Sequence, residues 1–242
     1  MIALTGSAIG SASLAGCLAN PEFDRVTDLP RPVGPFQESV LTLQVYEDYM
    51  CPACRQFALE TIFGIGEYLD TPVGAYYLQN ELELPEGLDA NDPKRLLAIE
   101  PYDYPIPVDA TWSWKYSEAA RAVLDLYDGS TDDDIYAHYW EMKFALYERQ
   151  DNPSYDAIRE AAEVVAQTVN NPTVEYDSDE LVSRVEDGAY RPVVDADRER
   201  GQEVGVTGTP YVLLEGEHIG QPDVATLSDR IDAMLARELN PN

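Results

Sequence analysis

The sequence predicts an α/β protein in which a βαβ unit opens the fold, a block of helices interrupts it and a ββα unit closes it. Three observations carry this. Residues 39–46, SVLTLQVY, place Leu41, Leu43 and Val45 at alternate positions, the period of a strand with one buried face. Pro52 to Leu69 follows with Cys54, Ala58, Ile62, Ile65 and Leu69 at spacings of 4, 4, 3 and 4, one face of a helix. At the far end, residues 211–220 alternate around Glu215-Gly216-Glu217 as a hairpin, and Val224, Leu227, Ile231 and Leu235 form a last helical stripe.

Val73 to Gln79 reads as the second strand of the βαβ unit, and the Pro-rich, acidic residues 80–112 read as loop. Helices follow. One carries Tyr116, Ala119, Ala120, Val123 and Leu126; Thr131 with three aspartates caps the next, which carries Ile135, Tyr139, Met142 and Leu146. Ser154 begins a third, with Ile158, Ala162, Val165 and Val169, and shorter helices are expected near 178–188 and 192–204, where Gly205 fits the stop. The stretch is too long to be a loop. A domain over 38–238 is therefore expected, with its α/β core at 38–80 and 205–238 and a helical insertion over about 113–204.

Composition narrows the function. The 242 residues are 45% apolar and include 45 Asp and Glu against 16 Lys and Arg, a formal charge of -29. Such a chain folds, and it repels nucleic acid and anionic membrane surfaces. No long apolar run after the N-terminus would make it a polytopic membrane protein. Of the basic residues only Lys94, Lys115 and Lys143 are lysines, and the acidity is spread along the chain. That pattern resembles a halophile's surface, whose self-repulsion molar salt screens. An acidic docking face, the other reading, would gather the charge in one place.

Residues 1–17 are uncharged and rich in small and apolar side chains, and Leu14-Ala15-Gly16-Cys17 resembles the lipobox of a lipoprotein signal. The resemblance implies export and a lipid on Cys17. It departs from the pattern in that no Lys or Arg precedes the apolar run, and a buried Gly-rich helix is the alternative. Residues 18–37, with Pro21, Pro30, Pro32 and Pro35, suit an extended linker.

Three cysteines cannot make a disulfide-dense scaffold. With Cys17 set aside, Cys51 and Cys54 form Cys-Pro-Ala-Cys. A zinc site needs about four ligands, and beyond the pair only Cys17, His138 and His218 remain, none adjacent to another; no metal or cofactor is expected. Haem attachment fails because Arg55, not histidine, follows the second cysteine. A redox dithiol remains, against two cysteines packing as small hydrophobes. The motif lies where a strand hands over to a helix, with Cys51 expected as N-cap and Pro52 as first helical residue. Unpaired amides and the helix dipole favour a thiolate at Cys51, the nucleophile. Cys54, on the apolar stripe, is the resolving thiol.

The distant Val206-Thr207-Gly208-Thr209-Pro210, before the strand-like Tyr211 to Leu214, resembles the cis-proline loop of thioredoxin-fold oxidoreductases. Glu47 to Cys54, EDYMCPAC, and Gly205 to Pro210 are similar to the corresponding signatures of the DsbA-like branch. The resemblance implies a thioredoxin fold with a large helical insertion, Pro210 cis opposite Cys51, and Thr209 offering its backbone to a bound peptide. It also implies thiol- or disulfide-containing polypeptides as substrates and a membrane quinone-linked thiol oxidase as partner. Departures are Ala53, where strong oxidants of the family commonly carry histidine, and Val45, where many thioredoxin-fold proteins carry a buried acid. A milder oxidant follows. Glu47 and Asp48 are candidate proton relays to Cys54, with solvated rim positions the ordinary expectation. His138 and His218 read as structural or surface residues. Tyr102, Tyr104, Trp112, Trp114 and Tyr116 are expected to pack as core rather than line a peptide groove. The competing functions are a lipid-anchored, non-catalytic interaction protein with a structural Cys51–Cys54 disulfide, and a chaperone holding Cu(I) on the dithiol.

Overall fold

A computed structural model describes residues 26–27, 29, 39–79, 83–84, 94–126, 132–168 and 177–239. Residues 1–17, including Cys17, for which a lipoprotein signal is expected, lie outside them. Strand β1 (Ser39–Glu47) buries Leu41, Leu43 and Val45 on the main core. Helix α1 (Pro52–Gln56) follows and widens into a π-helical stretch, Phe57–Ile62. There the spacing of four suits the broader turn, so Cys54, Ala58 and Ile62 all stay buried.

After the short helix α2 (Gly66–Asp70), residues Val73–Gln79 form helix α3, not the expected strand. Val73 and Tyr77, four apart, are both buried, which is a helical repeat in a run too short to distinguish by pattern alone. The second strand is β2 (Arg95–Asp103), inside the stretch expected to be loop. Its proline and acids misled the reading. The sheet order is β2-β1-β3-β4, so β2 is an edge strand, where Pro101 is tolerated. Its acids are partnered: Glu100 accepts from Gln44 Nε2 at 2.8 Å, and Asp103 pairs with Arg121.

Strand β1 pairs in parallel with β2, Leu43 opposite Ile99, and antiparallel with β3 (Tyr211–Leu214). A hairpin through Glu215 and Gly216, both at positive φ, joins β3 to β4 (Glu217–Gly220). Helix α9 (Val224–Leu239) then buries Leu227, Ile231 and Leu235. Between β2 and β3 lie α4 (Trp112–Leu126), α5 (Asp132–Glu148), α6 (Tyr155–Thr168), α7 (Ser178–Glu186) and α8 (Arg191–Glu203). Gly205, φ +83°, ends α8 while the Val206 amide reaches back to the Gly201 carbonyl at 2.8 Å.

The second face of the sheet carries an aromatic row. Tyr102, Tyr46, Tyr211 and His218 stand on β2, β1, β3 and β4; Tyr46 stacks on Tyr102 at 4.5 Å and His218 on Tyr211 at 3.9 Å. Gly201 of α8 lies against Tyr46 and Tyr104, where a β-carbon would collide with the Tyr104 ring. Of the aromatic cluster, Tyr102, Tyr104 and Tyr116 are buried, and Trp114 is half-buried beneath the Arg191 guanidinium. The linker is not wholly a tether: Val26 donates its amide to Ala189 at 2.9 Å, and Val26 and Leu29 pack on the core.

Candidate active site

Cys51 occupies the N-cap of α1 with extended backbone, and Pro52 begins the helix. The Cys51 carbonyl accepts the amides of Cys54 and Arg55, both at 3.1 Å. Gln150, just beyond α5, donates its side-chain amide to the carbonyls of Tyr49 (2.6 Å) and Cys51 (3.0 Å). Arg55 pairs with Asp151 at 2.9 Å. The helical insertion thus grips the turn that presents the motif.

Across 158 residues of sequence, the Cys51 thiol donates to the Thr209 carbonyl at 3.3 Å. The Thr209–Pro210 peptide is cis. Two clefts flank this junction. One, about 200 Å³, lies between the cis-proline loop and His218–Gln221; the other, about 160 Å³, is bounded by Ala53, Phe57 and Thr61 on one side and Gln221–Asp223 on the other. His218 is exposed and borders the first, whereas His138 is buried within α5.

Both cysteines are thiols here, and their surroundings differ. A hydrogen bond from the Cys54 thiol, helped by the Cys54 and Ala53 amides and opposed by burial, brings Cys51 down to about 5. Cys54, 0% exposed, is pushed up, first by burial, then by that same hydrogen bond and by the charge of Glu47.

Glu47 and Asp48 are not rim residues; both are buried. Glu47 meets Lys143 of α5 at 2.6 Å and accepts from the Tyr147 hydroxyl at 3.3 Å. Burial raises its pKa, and the ammonium opposes the rise. Lys143 is 1% exposed among aromatic rings, 5.0 Å from the Tyr49 centroid and 5.5 Å from that of Tyr147. Asp48 turns the other way, giving its carboxylate to the Met50 and Ile106 amides and the Ser113 hydroxyl. Farther along, Arg121 of α4 joins Asp103 and, at 2.7 Å, Asp197 of α8.

Sequence reasoning missed Lys143, Gln150 and Arg121. Lys143 had a signal: it sits four after Tyr139 and three before Leu146, on the apolar stripe of its helix, where a lysine needs a buried partner. Gln150 and Arg121 act across the fold and leave no local pattern.

No family model matches the chain, and no curated protein matches it in sequence. Solved structures do. Chlamydia trachomatis DsbA superposes with a TM-score of 0.63 at 14% identity, covering 92% of this chain and 100% of that one. The fold is DsbA-like. Oxidised BdbD from Bacillus subtilis gives a TM-score of 0.56 at 15% identity, covering 88% and 99% of the two chains. MdbA, a thiol-disulfide oxidoreductase from Actinomyces oris, gives 0.53 at 20%, covering 80% of each. At these identities the likeness shows the fold, a DsbA-like thioredoxin fold that in this chain carries its helices between β2 and β3.

Proposed function

We propose that the chain is a thiol-disulfide oxidoreductase that forms or exchanges disulfides in exported polypeptides through Cys51 and Cys54. One observation carries the reading: a helix-capping thiol, 8% exposed and brought down to about 5, lies 3.3 Å from the carbonyl before a cis-proline, while its partner thiol is sealed off entirely. In the oxidising direction a substrate thiolate attacks Cys51 Sγ of the disulfide. The sulfur–sulfur bond breaks, a mixed disulfide forms, and Cys54 departs with the electron pair. Glu47, the buried acid whose charge acts on Cys54, is the proton relay to that thiolate, and Lys143 holds it in place. A second substrate thiolate then attacks the substrate sulfur, and Cys51 leaves as the thiolate. The substrate lies along the two clefts, with its backbone at Thr209. With Ala53 where strong oxidants of the family commonly carry histidine, the reading is of a milder oxidant than those.

The trap is decisive. Cys54→Ser should accumulate mixed disulfides through Cys51 with a reduced, unfolded substrate. A static structural disulfide would give no adducts and would resist glutathione, and stoichiometric copper retained after gel filtration would favour the chaperone. The same proposal includes export and a lipid on Cys17 as membrane anchor, reoxidation by a quinone-linked thiol oxidase, and a high-salt surroundings for the acidic surface. Mass spectrometry of the membrane fraction tests the anchor, and unfolding on transfer to dilute buffer tests the salt requirement.

A further inference from the structure

Asp48 touches the redox turn through its backbone and the helical insertion through its side chain. Its amide donates to Cys54 Sγ at 3.5 Å, and its carbonyl accepts the Cys51 amide at 3.0 Å. The carboxylate, 0% exposed, accepts from the Met50 amide at 2.7 Å on one oxygen. The other oxygen accepts from the Ile106 amide at 2.8 Å and the Ser113 hydroxyl at 3.0 Å. Met50 belongs to the turn that presents Cys51, Ile106 to the segment leaving β2, and Ser113 to the first turn of α4. One carboxylate therefore ties the motif to the start of the insertion.

We propose that Asp48 is a redox-linked latch, a positioning residue whose carboxylate clamps segment 104–113 to the Cys51 turn while the Cys51 sulfur is uncharged, in the disulfide or in the thiol of this structure, and takes up a proton, loosening the clamp, when Cys51 becomes a thiolate. The inference rests on the redox reading above. A thiolate at Cys51 sets a second negative charge beside a buried carboxylate, and among the described residues no lysine or arginine lies within ion-pair distance of Asp48 to offset it. The groups around it are Cys51 and Cys54 of α1, the neutral Ser113 of α4, the Ile106 amide, and Glu47 of β1, whose own charge is paired with Lys143 of α5. Burial lifts Asp48 to about 6 against its three hydrogen bonds, and the charge of Cys51 lifts it further. Protonated, the carboxyl loses the charge that strengthens all three bonds and gains a hydrogen of its own; the Ser113 hydroxyl can rotate to accept that hydrogen, but an amide cannot.

Reduction by glutathione balances as follows. The Cys51–Cys54 bond and two glutathione thiols become the Cys51 thiolate, the Cys54 thiol, glutathione disulfide and one proton. Two electrons pass from the glutathione sulfurs to the broken bond. One of the two thiol protons goes to Cys54, and the other goes to water or to Asp48.

The glutathione equilibrium of the full chain, measured from about pH 5.5 to 8, tells these apart. A proton released to water makes the reduced-to-oxidised ratio rise about tenfold per pH unit at fixed glutathione. The latch predicts a shallower rise around pH 6 and the tenfold rise above it. Asp48→Asn restores the tenfold rise throughout. Ser113→Ala, which keeps the carboxyl but removes one donor, moves the shallow region to higher pH and serves if Asp48→Asn does not fold. Hydrogen exchange at the Ile106 amide is faster in the reduced than in the oxidised protein, and Asp48→Asn erases the difference. A tenfold rise at every pH in the unmodified protein, or equal Ile106 protection in both redox states, overturns the latch and leaves the oxidoreductase standing. Failure to equilibrate with glutathione at all overturns both.

Discussion

The two sides of the Cys-Pro-Ala-Cys turn are three residues apart in sequence and opposite in character. On the outer side Cys51 has hydrogen-bond donors and the cis-proline loop; on the inner side Cys54 has burial, a carboxylate and a ring of tyrosines around Lys143. Spacing alone makes the sulfurs equivalent. Their neighbours divide the labour, with hydrogen bonds lowering one pKa against burial and desolvation plus an anion raising the other.

The largest expected effect removes the outer side altogether: Cys51→Ser reduces thiol exchange to the uncatalysed background in a refolding assay. Next comes the inner side. Lys143→Met leaves Glu47 buried without its cation and should cost about 3–5 kcal/mol in urea denaturation, whereas the double variant with Glu47→Gln recovers most of it. The contrast in ionisation gives a third prediction. Alkylation of Cys51 by iodoacetamide should reach half its plateau rate near pH 5, with Cys54 unmodified in the folded protein. Because the folded value lies below the ordinary 9.0, the stabilisation that the Cys51 thiolate gives the reduced fold is complete above about pH 9 and disappears as the pH falls through 5. Thermal melts of reduced against oxidised protein at pH 8 and pH 5 measure the loss. The smallest effect is at the clamp: Gln150→Ala frees two carbonyls of the turn and should cost about 1–3 kcal/mol, with Cys51 more readily alkylated.

What could be read from the sequence was whatever is written locally. Cys51, Pro52 and Cys54 announce themselves by adjacency, Thr209-Pro210 by a short motif, and the last helix by its stripe. Strand β2 did not, because Pro101 and its acids look like loop until one knows that the strand lies at an edge and that Asp103 faces Arg121. Glu47 and Asp48 looked like rim residues for the same reason. A carboxylate's burial depends on partners elsewhere in the chain, here Lys143 for one and Ile106 with Ser113 for the other.

The aromatic row on the sheet's second face works as a gauge for strand alignment. Tyr46 sits opposite both Tyr102 and Tyr211, so sliding β1 by one residue against either neighbour would swing its ring to the opposite face and unstack the row. The hairpin that carries Pro210 at its base is thereby indexed to the strand that leads into Cys51, and the 3.3 Å between Cys51 Sγ and the Thr209 carbonyl is set by that alignment.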